Sequence, residues 1–257
     1  MVDALWGSLF LYVLTTLGAA FIFIKGSGIF AKTNYMLAFA GGIMLASSFF
    51  SLLQPSVELS LKLNMPTWIP PVGGFLAGLL FIYGLDKLLP HIHQIGANTV
   101  DEGLKISIQR SWLFIFAIAI HNIPEGLSVG ISYASSDYYH LSKGAPFALA
   151  LGIGIQDIPE GLAIALPLLV LNYSRQRAFF IGQLSGLIEF LASFLGFLLV
   201  RELAFLLPFA LSFAAGAMIY VIVEEVIPEA QQGKHDDRVT LIFFIGFILM
   251  MILDLTL

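Results

Sequence analysis

Two short stretches of this chain carry side chains able to hold a cation. His121-Asn122-Ile123-Pro124-Glu125-Gly126 and Gln156-Asp157-Ile158-Pro159-Glu160-Gly161 share Ile-Pro-Glu-Gly, followed in each by Leu, and exchange His for Gln and Asn for Asp. Residues three and four apart lie on one side of a helix. His121, Asn122 and Glu125 therefore make one polar face, and Gln156, Asp157 and Glu160 a second. If the faces meet, an imidazole nitrogen and several amide and carboxylate oxygens converge on one small volume, where a divalent cation offsets the repulsion between the acids. Pro124 and Pro159 add to this, because each lacks an amide proton and leaves the carbonyl four residues earlier, that of Ile120 or Ile155, without its helical partner. A kink with free oxygens is expected beside each face.

The elements that position these residues follow from composition. Hydrophobic residues make up 58% of the 257 positions and charged residues 11%, against roughly 25% charged in soluble domains. Apolar runs of about 20 residues recur between short polar connections, enough for a helix to cross ~30 Å of hydrocarbon, and they lack the alternation of a barrel strand. The fold class is all-α: a polytopic membrane protein with an eight-helix bundle in a lipid bilayer. Net charge is −5 with the 12 Lys and Arg scattered, so no nucleic-acid footprint is present. Without cysteine, neither a disulfide nor a thiolate metal site is open to the chain. The run beginning near Leu5 lacks the basic flank of a secretory signal and reads as a retained first span.

Spans are expected near Leu5–Ile24, Tyr35–Leu53, Trp68–Leu88, Trp112–Tyr133, Pro146–Leu171, Ala178–Val200, Leu203–Ile222 and Val239–Leu257. With both termini extracytoplasmic, nine of the twelve cations fall on the inner side: Lys25, Lys32, Lys87, Lys105, Arg110, Arg175, Arg177, Lys234 and Arg238. That agrees with the positive-inside rule. Residues 90–111 are expected to form a polar cytoplasmic loop, and residues 1–257 read as one membrane domain.

Ionisable groups deep in a bilayer cost at least ~2.5–3.5 kcal/mol each, so they face partners or a polar cavity. A lone His or Glu in such a helix often only bonds a neighbouring helix, but six polar side chains at matched spacing around two prolines are hard to explain that way. Glu189 in the sixth span follows Ser185 and Gly186, which permit close helix approach, and can complete the cluster. Glu224, Glu225 and Glu229 around Pro228 share the inner side with Asp86, His91 and His93 and suit an exit or holding site, although loop histidines are commonly just solvated. Asp254 receives no role, and the 23 Phe residues read as packing.

At these residues the chain resembles the ZIP family of Zrt/Irt-like metal transporters, in its bacterial GufA-like branch. The likeness rests on the two Pro-Glu-Gly strings, on Ser185-Gly186-Leu187-Ile188-Glu189 and on Glu225-Val226-Ile227-Pro228-Glu229. It implies a binuclear centre, with one metal held by His121, Glu125, Gln156 and Glu160. The second would use Asn122, Asp157 and Glu189, with Glu125 and Glu160 able to bridge. It further implies Met44 near the first metal, Ser51 toward the entrance, and Asp86, His91, His93, Glu224 and Glu225 along an inner release route. Similar proteins often have His where this chain has Glu224, which would favour harder cations or alter release.

The expected function is uptake of a divalent transition metal into the cytoplasm by alternating access, with no enzymatic activity and no catalytic cofactor. A mixed set of imidazole and oxygen donors suits Zn2+, with Cd2+, Fe2+ and Mn2+ as further cargoes. A metal-gated channel or sensor is the main rival reading. An intramembrane metallohydrolase ranks below it, since the chain lacks a His-Glu-x-x-His string. A homodimer is compatible with the sequence, and brevity points to a prokaryotic inner membrane.

Overall fold

In lipid the backbone has no hydrogen-bond partner but itself, so apolar runs of this length must close their bonds internally as helices. The computed structural model describes residues 2–24, 33–88, 91–95, 98–102, 110–139, 144–170, 173–202, 204–231 and 236–256. Helix α1 (Val2–Ala20) ends in a 3-10 turn, Phe21–Phe23. Next come α2 (Thr33–Ser47), a π-helical turn Ser48–Leu53, α3 (Gln54–Lys62) and α4 (Ile69–Leu88). The longest helices follow: α5 (Arg110–Tyr139), α6 (Gly144–Val170) and α7 (Arg175–Glu202). The chain closes with α8 (Leu207–Val221), a second π turn Ile222–Val226, α9 (Ile227–Ala230) and α10 (Asp237–Thr256).

Among the described residues, six helical rods are long and apolar enough to cross a membrane by length and composition: Val2–Phe23, Asn34–Lys62, Gly144–Leu166, Arg175–Leu198, Leu207–Ala230 and Asp237–Thr256. Their outer faces are apolar and bare, with Leu241 62% and Leu255 70% exposed, a surface that water would not tolerate but acyl chains would. This is a multi-pass integral membrane protein, all-α apart from one short hairpin.

The second and fifth of these rods run past the ends expected for the second and seventh spans, beyond Leu53 to Lys62 and beyond Ile222 to Ala230. A proline, Pro55 or Pro228, follows each expected end, and in a helix interior proline costs an amide bond. In each case the proline enters the next helix just after a π turn, where it sits in the first turn and owes no amide bond. The true stop of α3 is Asn64, in the left-handed region at φ 54°. There the Met65 amide donates to the Ser60 carbonyl at 2.9 Å and the Asn64 amide to Leu61 at 3.1 Å, a Schellman ending before Pro66. Residues 90–111, expected as loop, contain an antiparallel pair, β1 (His91–Ile95) and β2 (Asn98–Glu102), with His91 opposite Glu102.

Packing divides the helices into two sets. In one, α1, α5, α6 and α7 approach backbone to backbone: a Cβ on Gly18 would overlap the Ile158 carbonyl, and one on Gly130 the Ser193 carbonyl. In the other, Gly42 receives Phe243 of α10, and Gly74 and Gly78 receive Phe209 and Phe213 of α8. Between the two sets, Gly152 of α6 faces the side chains of Met250 and Ile43. Hydroxyls tie neighbours within each set, Ser8 to Ser193 at 2.6 Å and Ser56 to the Pro208 carbonyl at 2.6 Å.

Candidate metal centre

The polar faces of α5 and α6 meet in the interior. One carboxylate oxygen from each of Glu125, Asp157 and Glu160 lies within 4.8 Å of the others, a grouping of metal-binding size. Gln156 is fully buried, and its amide nitrogen donates to Glu125 Oε1 at 2.8 Å, which leaves its own Oε1 without a partner. Asn122 is 2% exposed on the same face of α5. Ser128 turns its hydroxyl back to the Glu125 carbonyl at 2.6 Å, as buried hydroxyls in membrane helices do.

Glu189 arrives from α7 because Gly126 lets that helix close in: a Cβ on Gly126 would overlap the Glu189 carbonyl. It stands outside the tight triad but close enough that Asp157 feels the charge of Glu189, Glu125 and Glu160 together. Six buried oxygens here, Glu125 Oε2, Gln156 Oε1 and both carboxylate oxygens of Asp157 and Glu189, have no hydrogen-bond donor. Leaving a buried polar group unpaired costs ~1–3 kcal/mol, and more when it is charged. The deficit is one-sided: oxygens abound and donors are missing. A divalent cation is the group that would satisfy such a set.

Other sequence-predicted residues are distributed as follows. The side chain of His121 lies outside the described residues, as do those of Asp86, His91 and His93; the backbone of His121 is in α5, and His91 and His93 are in β1. Met44 is buried in α2 within the apolar cluster that holds Leu11 and Ile153, and its carbonyl accepts from Ser47 and Ser48. Ser51, in the π turn, donates to Asp254 Oδ1 at 2.6 Å, which gives Asp254 a partner that the sequence did not suggest. Glu224 and Glu225 lie in the second π turn, Glu224 exposed, and neither joins the buried triad. One residue of the centre was not foreseen at all: Thr15 of α1, 1% exposed, lies beside Asp157 and Glu189. A single threonine in an apolar span carries no signal, since its hydroxyl is usually spent on its own helix.

Membrane proteins seldom bury this many acidic groups together unless an ion resides in or passes through the place, and that sets the chain among polytopic proteins with cation chemistry inside the bilayer. Residues 96–254 match the sequence profile of the family described as ZIP Zinc transporter. The chain is 37% identical to the zinc transporter ZIPB of Bordetella bronchiseptica, over 85% of this chain and 70% of that one. It is 39% identical to the zinc transporter GufA of Myxococcus xanthus, over 72% and 70% of the two chains, and 32% identical to human zinc transporter ZIP11 over 98% and 96%. The chain belongs to the ZIP zinc transporter family.

Proposed function

We propose that the protein carries zinc, with cadmium, iron and manganese as further cargoes, into the cytoplasm through a binuclear site between α5, α6 and α7. The observation that carries this reading is the set of six donorless buried oxygens around Glu125, Asp157 and Glu189. His121, Glu125, Gln156 and Glu160 hold one ion; Asn122, Asp157 and Glu189 hold the other. The named relatives are zinc transporters, which agrees with this donor set. Without thiolates the site binds moderately, as a carrier that must release its cargo requires.

Eight spans with both termini extracytoplasmic accommodate the helices: α4 and α5 cross along with the six strongly apolar rods. Alternating access moves α1, α5, α6 and α7 as one body against α2, α4, α8 and α10. Backbone-to-backbone seating inside each set resists sliding, because ridges of carbonyl and glycine interlock. The side-chain boundary at Gly152, Met250 and Ile43 can shear by changing rotamers. Met44 stands near the first metal and Ser51 toward the entrance, and Asp86, His91, His93, Glu224 and Glu225 line the inner release route. The setting that fits this reading is a prokaryotic inner membrane.

The test is uptake of zinc, cadmium and iron into proteoliposomes. Glu125→Ala and Glu160→Ala are expected to abolish saturable flux while leaving the protein folded. Undiminished flux in both variants would remove transport from this site, and flux that rises without saturation would mark a channel rather than a carrier.

A further inference from the structure

The glycines that end the two repeated strings have matching tasks. Gly126 of α5 makes room for the backbone of α7 at Glu189: a Cβ there would overlap the Glu189 carbonyl. Gly161 of α6 makes room for α1 at Thr15: a Cβ there would overlap the Thr15 carbonyl and stand 2.8 Å from the Ala19 nitrogen. Thr15 thus occupies, against the second string, the place that Glu189 occupies against the first. From the far side, Gly186 of α7 presses on the same residue, its Cβ position 2.8 Å from Thr15 Cβ and 3.0 Å from Oγ1. Three helices therefore fix where this hydroxyl sits.

Thr15 Oγ1 donates to the Leu11 carbonyl at 2.9 Å and adjoins both Asp157 and Glu189. With its proton on Leu11 its lone pairs are free for a cation, and without an ion the same hydroxyl can turn to either acid. Neither carboxylate has a well-aligned hydrogen-bond donor; Thr15 and, at Glu189, Asn122 are the neighbours that could supply one. A hydroxyl oxygen held by three helices beside two buried acids is placed to share a cation with them.

We propose that Thr15 supplies, from α1, an additional oxygen ligand to the cation held by Asp157 and Glu189. This rests on the metal-carrying reading above. It makes that half of the centre an all-oxygen site built from four helices, better suited to harder divalent ions than the half that contains His121.

The test uses the full chain in detergent, with cadmium chloride and manganese chloride as probes and equilibrium binding as the readout. Thr15→Val keeps the shape and removes the oxygen; it is expected to weaken binding at this half by about tenfold to a hundredfold, whereas Thr15→Ser stays close to the parent. Thr15→Cys separates coordination from packing. It introduces the only thiol of the chain, and a sulfur that touches the ion raises the preference for cadmium over manganese and produces cadmium-thiolate absorption in the ultraviolet. If Thr15→Val fails to fold, the serine and cysteine variants carry the test. A folded Thr15→Cys protein that binds cadmium without that absorption, or a Thr15→Val protein that binds like the parent while Glu189→Gln loses an ion, overturns the role of Thr15. Failure of the parent chain to bind either ion would overturn the metal-carrying reading first, so the two failures are distinguishable.

Discussion

Replacing Asp157 by Asn should make the metal-free protein more stable and the metal-bound protein less so. Asp157 is 1% exposed, has no hydrogen-bond donor on either oxygen, and sits among Glu125, Glu160 and Glu189. Asn keeps the shape, removes one acid from a crowded cluster and brings an amide group whose two N–H bonds meet acceptors to spare. A hydrogen bond to a charged group is worth about 1.5–3 kcal/mol. At about 2–4 °C per kcal/mol for a domain of this size, the metal-free unfolding midpoint rises by several degrees. Zinc has the opposite effect on the comparison. At a hundred times its dissociation constant it stabilises the parent by about 2.7 kcal/mol, and the variant, short of one ligand charge, gains much less. Thermal unfolding in detergent, with zinc and with a chelator, reads both quantities. A variant that melts below the parent without metal, or that keeps the parent's full zinc increment, would refute the reasoning.

Gly126→Ala and Gly161→Ala drive a methyl onto the carbonyls of Glu189 and Thr15. Each is expected to cost about 1–3 kcal/mol or more by overpacking, read as a lower unfolding midpoint. Gly84→Ala in α4, where a Cβ meets nothing within 4 Å, should instead gain about 0.5–1 kcal/mol. Asp236 precedes α10, caps the Arg238 amide at 3.0 Å and accepts from Arg238 Nε at 3.0 Å and from the Tyr35 hydroxyl at 2.6 Å. The Arg238 and Tyr35 hydrogen bonds hold its carboxyl down to about 2. A carboxyl lowered in the folded state stabilises above its unfolded value of about 3.9 and loses that contribution as pH falls toward 2. Unfolding measured from pH 6 downward should therefore show the parent's advantage over Asp236→Asn shrinking with acid.

The centre was legible to the extent that its chemistry repeats. Asn122, Glu125, Gln156, Asp157 and Glu160 announce themselves because two strings place them at the same helical spacing, and such polar residues are costly in lipid. Glu189 stands out as a lone acid in an apolar span. Thr15 does not, because what matters about it is a neighbour relation: Gly161 and Gly186 bring α1 in, and no spacing within α1 encodes that. The Ser51–Asp254 pair joins residues two hundred positions apart and is equally silent in the sequence. Six apolar rods among the described residues overlap expected spans, and two of them continue past Leu53 and Ile222 through π turns that precede Pro55 and Pro228. The hairpin at His91–Ile95 and Asn98–Glu102 escaped because five polar-rich residues are too few for a period to emerge. Gly42 and Gly74 seat directly on the backbone of α10 and α8.

The most direct test of the buried centre is to locate the ion. Crystals or two-dimensional arrays grown with zinc, measured at its absorption edge, should place anomalous density within bonding reach of Glu125, Asp157 and Glu160, with zinc–ligand distances of about 2.0–2.2 Å. Zinc found only at the helix ends or in the 90–111 segment, with the buried oxygens still bare, would contradict it.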